Sequence, residues 1–340
     1  HVINDHVGML NVYYTKKNEE IYVSNDLISV SIASSTNCLS EMGAQQFIMT
    51  EATIGSYTIF ENIYRLGAGN KLVIDGDIEE KEFYSYNQDS ISYIDYINRI
   101  ERYFSLINSY PGKTSTDISA GFDTRLVAAC SYRFIDQLCA NTNPNQFDGG
   151  VDSVLAPIIA ERLNLNLTVI KDEQVDYDDS IMVHGFSAGR DIIRSKRWPG
   201  RLEKKYNTFH LILGGYGGEV IRAKNNTQRA ITNVAKDYYN GCIGNYIFDS
   251  KFYNKHIIQE LNKYRYYQTN KQIANFVYAL DRMRIWGGAQ VSMSSLYGDI
   301  LHPFMDWYLL NPIFSFNPGI LKHGNLQKNL IKHFAPQLKK

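Results

Sequence analysis

The sequence predicts an α/β protein with a doubly wound parallel sheet, preceded by a smaller β-rich portion. Three observations carry this. Between residues 114 and 213, short β-branched or apolar runs alternate with amphipathic helical stretches, at lengths that suit βαβ units. Two of those runs lead into glycine-containing turns. Before residue 85, the chain reads instead as short strands separated by polar turns.

In chain order, Met9-Leu10-Asn11-Val12-Tyr13-Tyr14 and Ile21-Tyr22-Val23-Ser24 are rich in β-formers, with Lys16-Lys17-Asn18 as the turn between them. Residues 41–51 fit a short helix. Leu72-Val73-Ile74 runs into Asp75-Gly76-Asp77, a hairpin signal. Over residues 90–112, Ile94, Ile97, Ile100, Phe104 and Ile107 recur at helical spacing, and Pro111-Gly112 ends the helix.

Thr114 to Ser119 is then a β-branched strand, Ala120-Gly121 a turn, and Phe122 to Phe134 a helix with Phe122, Leu126, Ala129, Cys130 and Phe134 on one face. Gln137 to Thr142 is a second strand. Ser153 to Leu163 is a second helix, with Leu155, Ile158, Ile159 and Leu163 on one side. Asp152 suits its N-cap, and Pro157 implies that the regular helix starts later. Asn166 to Ile170 and Phe209 to Leu213 are the third and fourth strands, and residues from about 227 onward read as mainly helical.

Composition narrows the function. Lys+Arg and Asp+Glu are both 35, so the formal net charge is zero and no global basic field for nucleic acid exists. Arg190, Arg194, Lys196, Arg197 and Arg201 form a local basic cluster that reads as solvated surface, with a phosphate or carboxylate clamp as the sharper alternative. Cys38, Cys130, Cys139 and Cys242 lack zinc-site spacing and suit a reduced, cytoplasmic protein. Apolar stretches are too short to span a bilayer, and His1 to Asp5 does not open a signal peptide.

Chemistry concentrates in two turns, since ligands of open parallel sheets sit beyond the carboxyl ends of the strands. Ser119-Ala120-Gly121-Phe122-Asp123-Thr124-Arg125 offers backbone N–H groups, two hydroxyls and the positive end of a helix, which together suit an anion. Asp123 would repel a phosphate unless a Mg²⁺ lay between them. The same residues also read as a plain strand-to-helix turn in which Asp123 favours the helix dipole. In Leu213-Gly214-Gly215-Tyr216-Gly217-Gly218-Glu219, four glycines in five positions let backbone approach a ligand, and Glu219 offers a second carboxylate. The bland reading is a flexible loop.

Ser119 to Thr124 resembles the SGGxDS pyrophosphate loop of the asparagine synthetase and β-lactam synthetase family, within the N-type ATP pyrophosphatases. Phe60 to Gly69 resembles that family's I-x-R-L-P-P-G segment at the end of its glutaminase-type domain. Asp152 with Ala156, Ile159 and Ala160 resembles the helix after the second strand. Gly215 to Glu219 resembles the GxGxD loop, and His302-Pro303-Phe304-Met305-Asp306 the R-x-P-F-L-D segment. The matches cover nearly all of the chain in the family's order. Ala120 departs by replacing a glycine, Thr124 a serine and Glu219 an aspartate.

The resemblance implies a partial glutaminase-like domain over residues 1–85 and an ATP-binding synthetase domain over 90–340. It implies ATP and Mg²⁺, with the nucleotide on Ser119, Ala120, Gly121, Phe122, Asp123, Thr124, Gly215, Tyr216 and Gly217. Asp123 and Glu219 would hold the metal. Lys328 would be the phosphate-binding lysine in the preferred register, with Lys322 and Lys332 as alternatives.

The implied reaction adenylates a carboxylate and passes the acyl group to an amine, with Tyr216 or Tyr297 as candidates to take the amine proton. A working glutaminase needs an N-terminal cysteine; with His1 in first place, the expectation is either a vestigial module or one whose missing part lies on an absent segment or a separate chain. Expected partners are small-molecule or peptide carboxylate and amine substrates, without nucleic acid or membrane; a homo-oligomer stays open. Two rivals remain: a non-catalytic scaffold on the same fold, and an adenylating sulfur or nitrogen transferase acting on RNA, which would need a basic face.

Overall fold

The computed structural model describes residues 1–50, 53–86, 89–143, 150–170, 198–222 and 273–338. Within them the chain divides into two compact units: residues 1–86 with 273–293, and residues 89–222 with 294–338. Residues 273–293 thus group with the first unit, whereas the sequence division placed everything after residue 90 in one domain. Among the described residues, no helix is long and apolar enough to cross a membrane.

The first unit contains β1 (Val2–Ile3), β2 (Tyr13–Lys17), β3 (Glu20–Ser24), α1 (Leu27–Ala33), α2 (Glu41–Thr50), β4 (Tyr64–Arg65), β5 (Asn70–Ile74) and β6 (Ile78–Glu82). They form two three-stranded antiparallel sheets, ordered β1-β5-β6 and β3-β2-β4. The β2–β3 turn falls on Asn18 and Glu19, both at positive φ (50° and 65°). A two-residue left-handed turn matches strand twist, so Lys16 and Lys17 stay in the strand instead of making the turn. The β5–β6 hairpin turns at Gly76, at φ 69°, as its Asp-Gly signal predicts.

Residues 273–294 are helical, with a π-helical stretch over Tyr278–Met283. Just beyond it, Arg284 is 1% exposed. Its guanidinium donates to the Leu66 carbonyl (2.9 Å) and the Gly55 carbonyl (3.0 Å). Asp281 lies 3.7 Å from it and accepts from the Gly55 amide (3.0 Å).

The second unit contains α3 (Tyr93–Ile107), β7 (Thr114–Asp117), α4 (Phe122–Ser131), β8 (Cys139–Thr142), α5 (Val151–Arg162), β9 (Asn166–Val169), α6 (Trp198–Thr208), β10 (Leu211–Leu213), α7 (Gly218–Ile221), β11 (Asp299–Leu301) and α8 (Asn325–Phe334). Ser92 caps α3 by accepting from Asp95 N, and Tyr96, Ile97, Ile100, Phe104 and Ile107 are buried along it. Ile94, read into that face, is exposed. Phe122, read into the buried face of α4, is exposed as well, and α4 stops at Ser131.

The five strands form one all-parallel sheet, ordered β11-β10-β7-β8-β9. The chain enters at the centre with β7, builds outward through β8 and β9, then returns to add β10 and β11 on the other side. The direction of winding therefore reverses between β7 and β10, which pair as Leu211 with Thr114 and Leu213 with Thr116. This is the topological switch point, the place at which open α/β sheets bind their ligands. β10 is buried throughout, as strands covered on both faces are.

Two sequence expectations need correction here. The N-cap of α5 is Gly150, in a left-handed conformation (φ 94°), and Pro157 lies inside the helix; Asp152 is instead the second helical residue, and its carboxylate is used elsewhere. β11 was read as part of a mainly helical stretch, because a three-residue edge strand has no detectable period. Residues 227–272 of that stretch lie outside the described residues, as do Arg190, Arg194, Lys196 and Arg197.

Candidate functional site

The switch point is framed by the two glycine-containing loops. β7 runs into Ile118–Gly121 and then α4, whose N-cap Gly121 supplies no side-chain hydrogen bond. The first-turn amides of any helix lack intrahelical acceptors, so those of Phe122, Asp123 and Thr124 and the positive end of the α4 dipole face this edge of the sheet.

The preceding loop is tied by its own groups. Ser119 N donates to Thr124 Oγ1 (3.2 Å), Gly121 N to Ser119 Oγ (3.1 Å), and the Ser119 and Thr124 hydroxyls share a 2.8 Å hydrogen bond. Ala120 N donates to the Asp152 carboxylate. Asp152 is therefore a tether that fixes the loop. Ala120 is not among the residues at positive φ, so its replacement of a glycine requires no change of backbone here. Arg125 donates to the Ala120 carbonyl (3.0 Å), and its guanidinium lies 4.9 Å from the centre of the Phe122 ring.

The second loop lies directly against the first turn of α4. A Cβ on Gly215 would come within 2.9 Å of Thr124 N, and one on Gly218 within 2.6 Å of the Asp123 carboxyl carbon. Gly217 adopts φ 93° and starts α7. Gly215 and Gly218 are thus explained by close packing between the two loops, and Gly214 and Gly217 by packing on His302 and Phe304.

Asp123, expected to hold a metal, is engaged by protein. Its Oδ2 pairs with Arg222 Nη2 at 3.1 Å, and its Oδ1 accepts from Gln327 Nε2 at 2.8 Å. Arg222 is the C-cap of α7, and Gln327 is a buried residue of α8. Glu219 follows Gly218 and is half-buried. Among the described residues, no group of three or more His, Cys, Asp or Glu is placed to hold a metal ion. The Mg²⁺ implied by the resemblance does not fit this arrangement, since a guanidinium already occupies the carboxylate.

Lys328 and Lys332 lie exposed on α8, and Lys322 is exposed in the turn before it; the residue of α8 that reaches the loop is Gln327. Tyr216 is part of the second loop. Its ring stacks on His302 at 4.3 Å, and its amide donates to His302 Nδ1 (3.3 Å). Burial pushes the His302 pKa down to about 4, opposed in part by Asp117 and a Gly214 backbone hydrogen bond. Asp117, which ends β7, pairs with Lys205 at 2.6 Å. Tyr297 precedes β11 and so belongs to the opposite, amino-terminal edge of the sheet.

Fold and site together define a parallel α/β protein with two glycine-containing loops packed together at its switch point. No protein-family model matches the chain, and no curated protein does. Among solved structures, the U34-tRNA thiolase NcsA from Methanococcus maripaludis, with its 4Fe-4S cluster, is similar at 11% identity and a TM-score of 0.26, over 62% of this chain and 80% of that one. So distant a likeness fixes neither the fold family nor the chemistry of this chain.

Proposed function

We propose that the chain is an ATP-dependent, AMP-forming ligase that adenylates a carboxylate and transfers the acyl group to an amine. The observation that carries this is the meeting of an uncapped helix N-terminus with a glycine-lined loop at the switch point. First-turn amides of α4 and the hydroxyls of Ser119 and Thr124 suit the pyrophosphate portion of ATP. The absence of a Cβ at Gly215 lets the second loop pack on Thr124 at the start of α4.

In this reading a substrate carboxylate oxygen attacks the α-phosphorus, the bond to the bridging oxygen breaks, and pyrophosphate leaves. The helix end and the nearby guanidiniums of Arg125 and Arg222 offset the charge that grows on the leaving group. The amine nitrogen then attacks the acyl carbon and AMP departs. Tyr216, carried by the second loop, is the better placed of the two tyrosines to relay the amine proton, accepting it as its own phenolic proton passes to water. Both substrates belong to the small-molecule or peptide class.

One observation favours the scaffold alternative: Asp123 is satisfied by protein groups on both oxygens. Pyrophosphate release from ATP against a panel of carboxylic acids separates the two, with Asp123→Ala as control. Acid-dependent release that the substitution abolishes supports the ligase. Absence of ATP binding in a direct titration sinks it and leaves the scaffold.

A further inference from the structure

The geometry points to Arg222 as a built-in cation that takes the place of a divalent metal on Asp123, so that this loop meets a polyphosphate without a protein-held metal ion. The inference deepens the proposed nucleotide reading and rests on it for the polyphosphate. The Asp123–Arg222 contact itself stands on geometry alone.

The argument begins with charge. Asp123 lies in the first turn of α4, where a bound phosphate would meet a carboxylate of the same sign. Some cation must offset it. A guanidinium stays charged at every physiological pH, and Arg222 places Nη2 3.1 Å from Oδ2. The chain is shaped to allow this. Gly218, which begins α7, has no Cβ and packs on the Asp123 side chain, and Arg222, four residues on, then lies over the carboxylate. Gln327, buried and reaching in from α8, donates to the other oxygen at 2.8 Å. It supplies no charge but fills the remaining coordination direction. A metal ion would have to displace both partners, and among the described residues no group of three or more His, Cys, Asp or Glu is gathered to hold one.

The test uses the whole chain and two readouts. In the first, Mn²⁺ is titrated into protein without nucleotide, and free Mn²⁺ is followed by electron paramagnetic resonance. Wild type is expected to bind no Mn²⁺ through Asp123 up to millimolar concentrations. Arg222→Gln keeps side-chain length and a donor but drops the charge, and should tighten Mn²⁺ binding at least tenfold. Adding Asp123→Asn should remove that gain, and Arg222→Lys should keep Mn²⁺ out. Circular dichroism verifies that each variant is folded. Wild-type Mn²⁺ binding that Asp123→Asn abolishes, or unchanged Mn²⁺ affinity in folded Arg222→Gln, overturns the inference.

In the second readout, ATP affinity is measured with excess Mg²⁺ and with EDTA. Wild type should differ by less than threefold, and Arg222→Gln by more than tenfold; the reverse pattern overturns the inference. If wild type binds ATP under neither condition, the nucleotide reading fails, while the Mn²⁺ titration still decides what Arg222 does to Asp123.

Discussion

Two of the arginine–aspartate pairs among the described residues, one in each unit, differ in nearly every physical respect. Arg284 and Asp281 in the first unit are 2% and 1% exposed, 3.7 Å apart, and both bonded to the Gly55 peptide groups. Arg222 and Asp123 in the second are 33% and 19% exposed and closer, at 3.1 Å. Distance alone would rank the second pair stronger. Burial reverses the ranking: breaking a buried pair strands a charge away from water, whereas a partly solvated pair is replaced by water at small cost. The first pair is a fastening of the fold, and the second is free to serve a ligand.

The largest expected effect breaks the buried pair. Arg284→Ala leaves Asp281 and the carbonyls of Gly55 and Leu66 without the guanidinium, and should cost about 3–5 kcal/mol in urea unfolding. A cost under about 1 kcal/mol would end the distinction between the pairs. Next comes Gly218→Ala, which forces a Cβ against Asp123. It should cost about 1–3 kcal/mol and weaken ATP binding measured by calorimetry.

The third effect is a pH dependence. His302 is held neutral down to about pH 4 in the folded protein, whereas an exposed histidine takes up its proton near pH 6.5. Between those values the unfolded chain binds the additional proton, so stability should fall as pH drops from about 6.5 to about 4, by of the order of 1 kcal/mol per pH unit. His302→Gln should flatten that part of the profile, and an unchanged slope would place its cause elsewhere. The smallest effect is on the second pair: Arg222→Ala should shift stability by less than about 1 kcal/mol in the same unfolding assay.

What was legible in the sequence was local. The buried face of α3, the hairpin at Gly76, the apolar β10 and the positions of both glycine-containing loops each follow from a few adjacent residues. What was not legible joins distant positions. Asp152 reaches a loop 32 residues away, Arg222 an aspartate 99 away, and Gln327 the same aspartate across 204 residues. Only Gln327 left a trace, as a polar residue beside the buried Leu326, Leu330, Ile331 and Phe334 of α8. Asp152 resembled a cap because capping and tethering use the same carboxylate, and nothing in its neighbours distinguishes the two.

The span from Asp123 to Gln327 also sets an order of events during synthesis. A ribosome delivers α4 before α8, so the nascent chain carries the Asp123 carboxylate through the synthesis of 204 further residues without its amide partner. Completion of the loop waits for α8 to emerge. A ribosome-stalled chain released before residue 327 would contain every residue of the two glycine-containing loops and still lack the group that holds Asp123 Oδ1 in place.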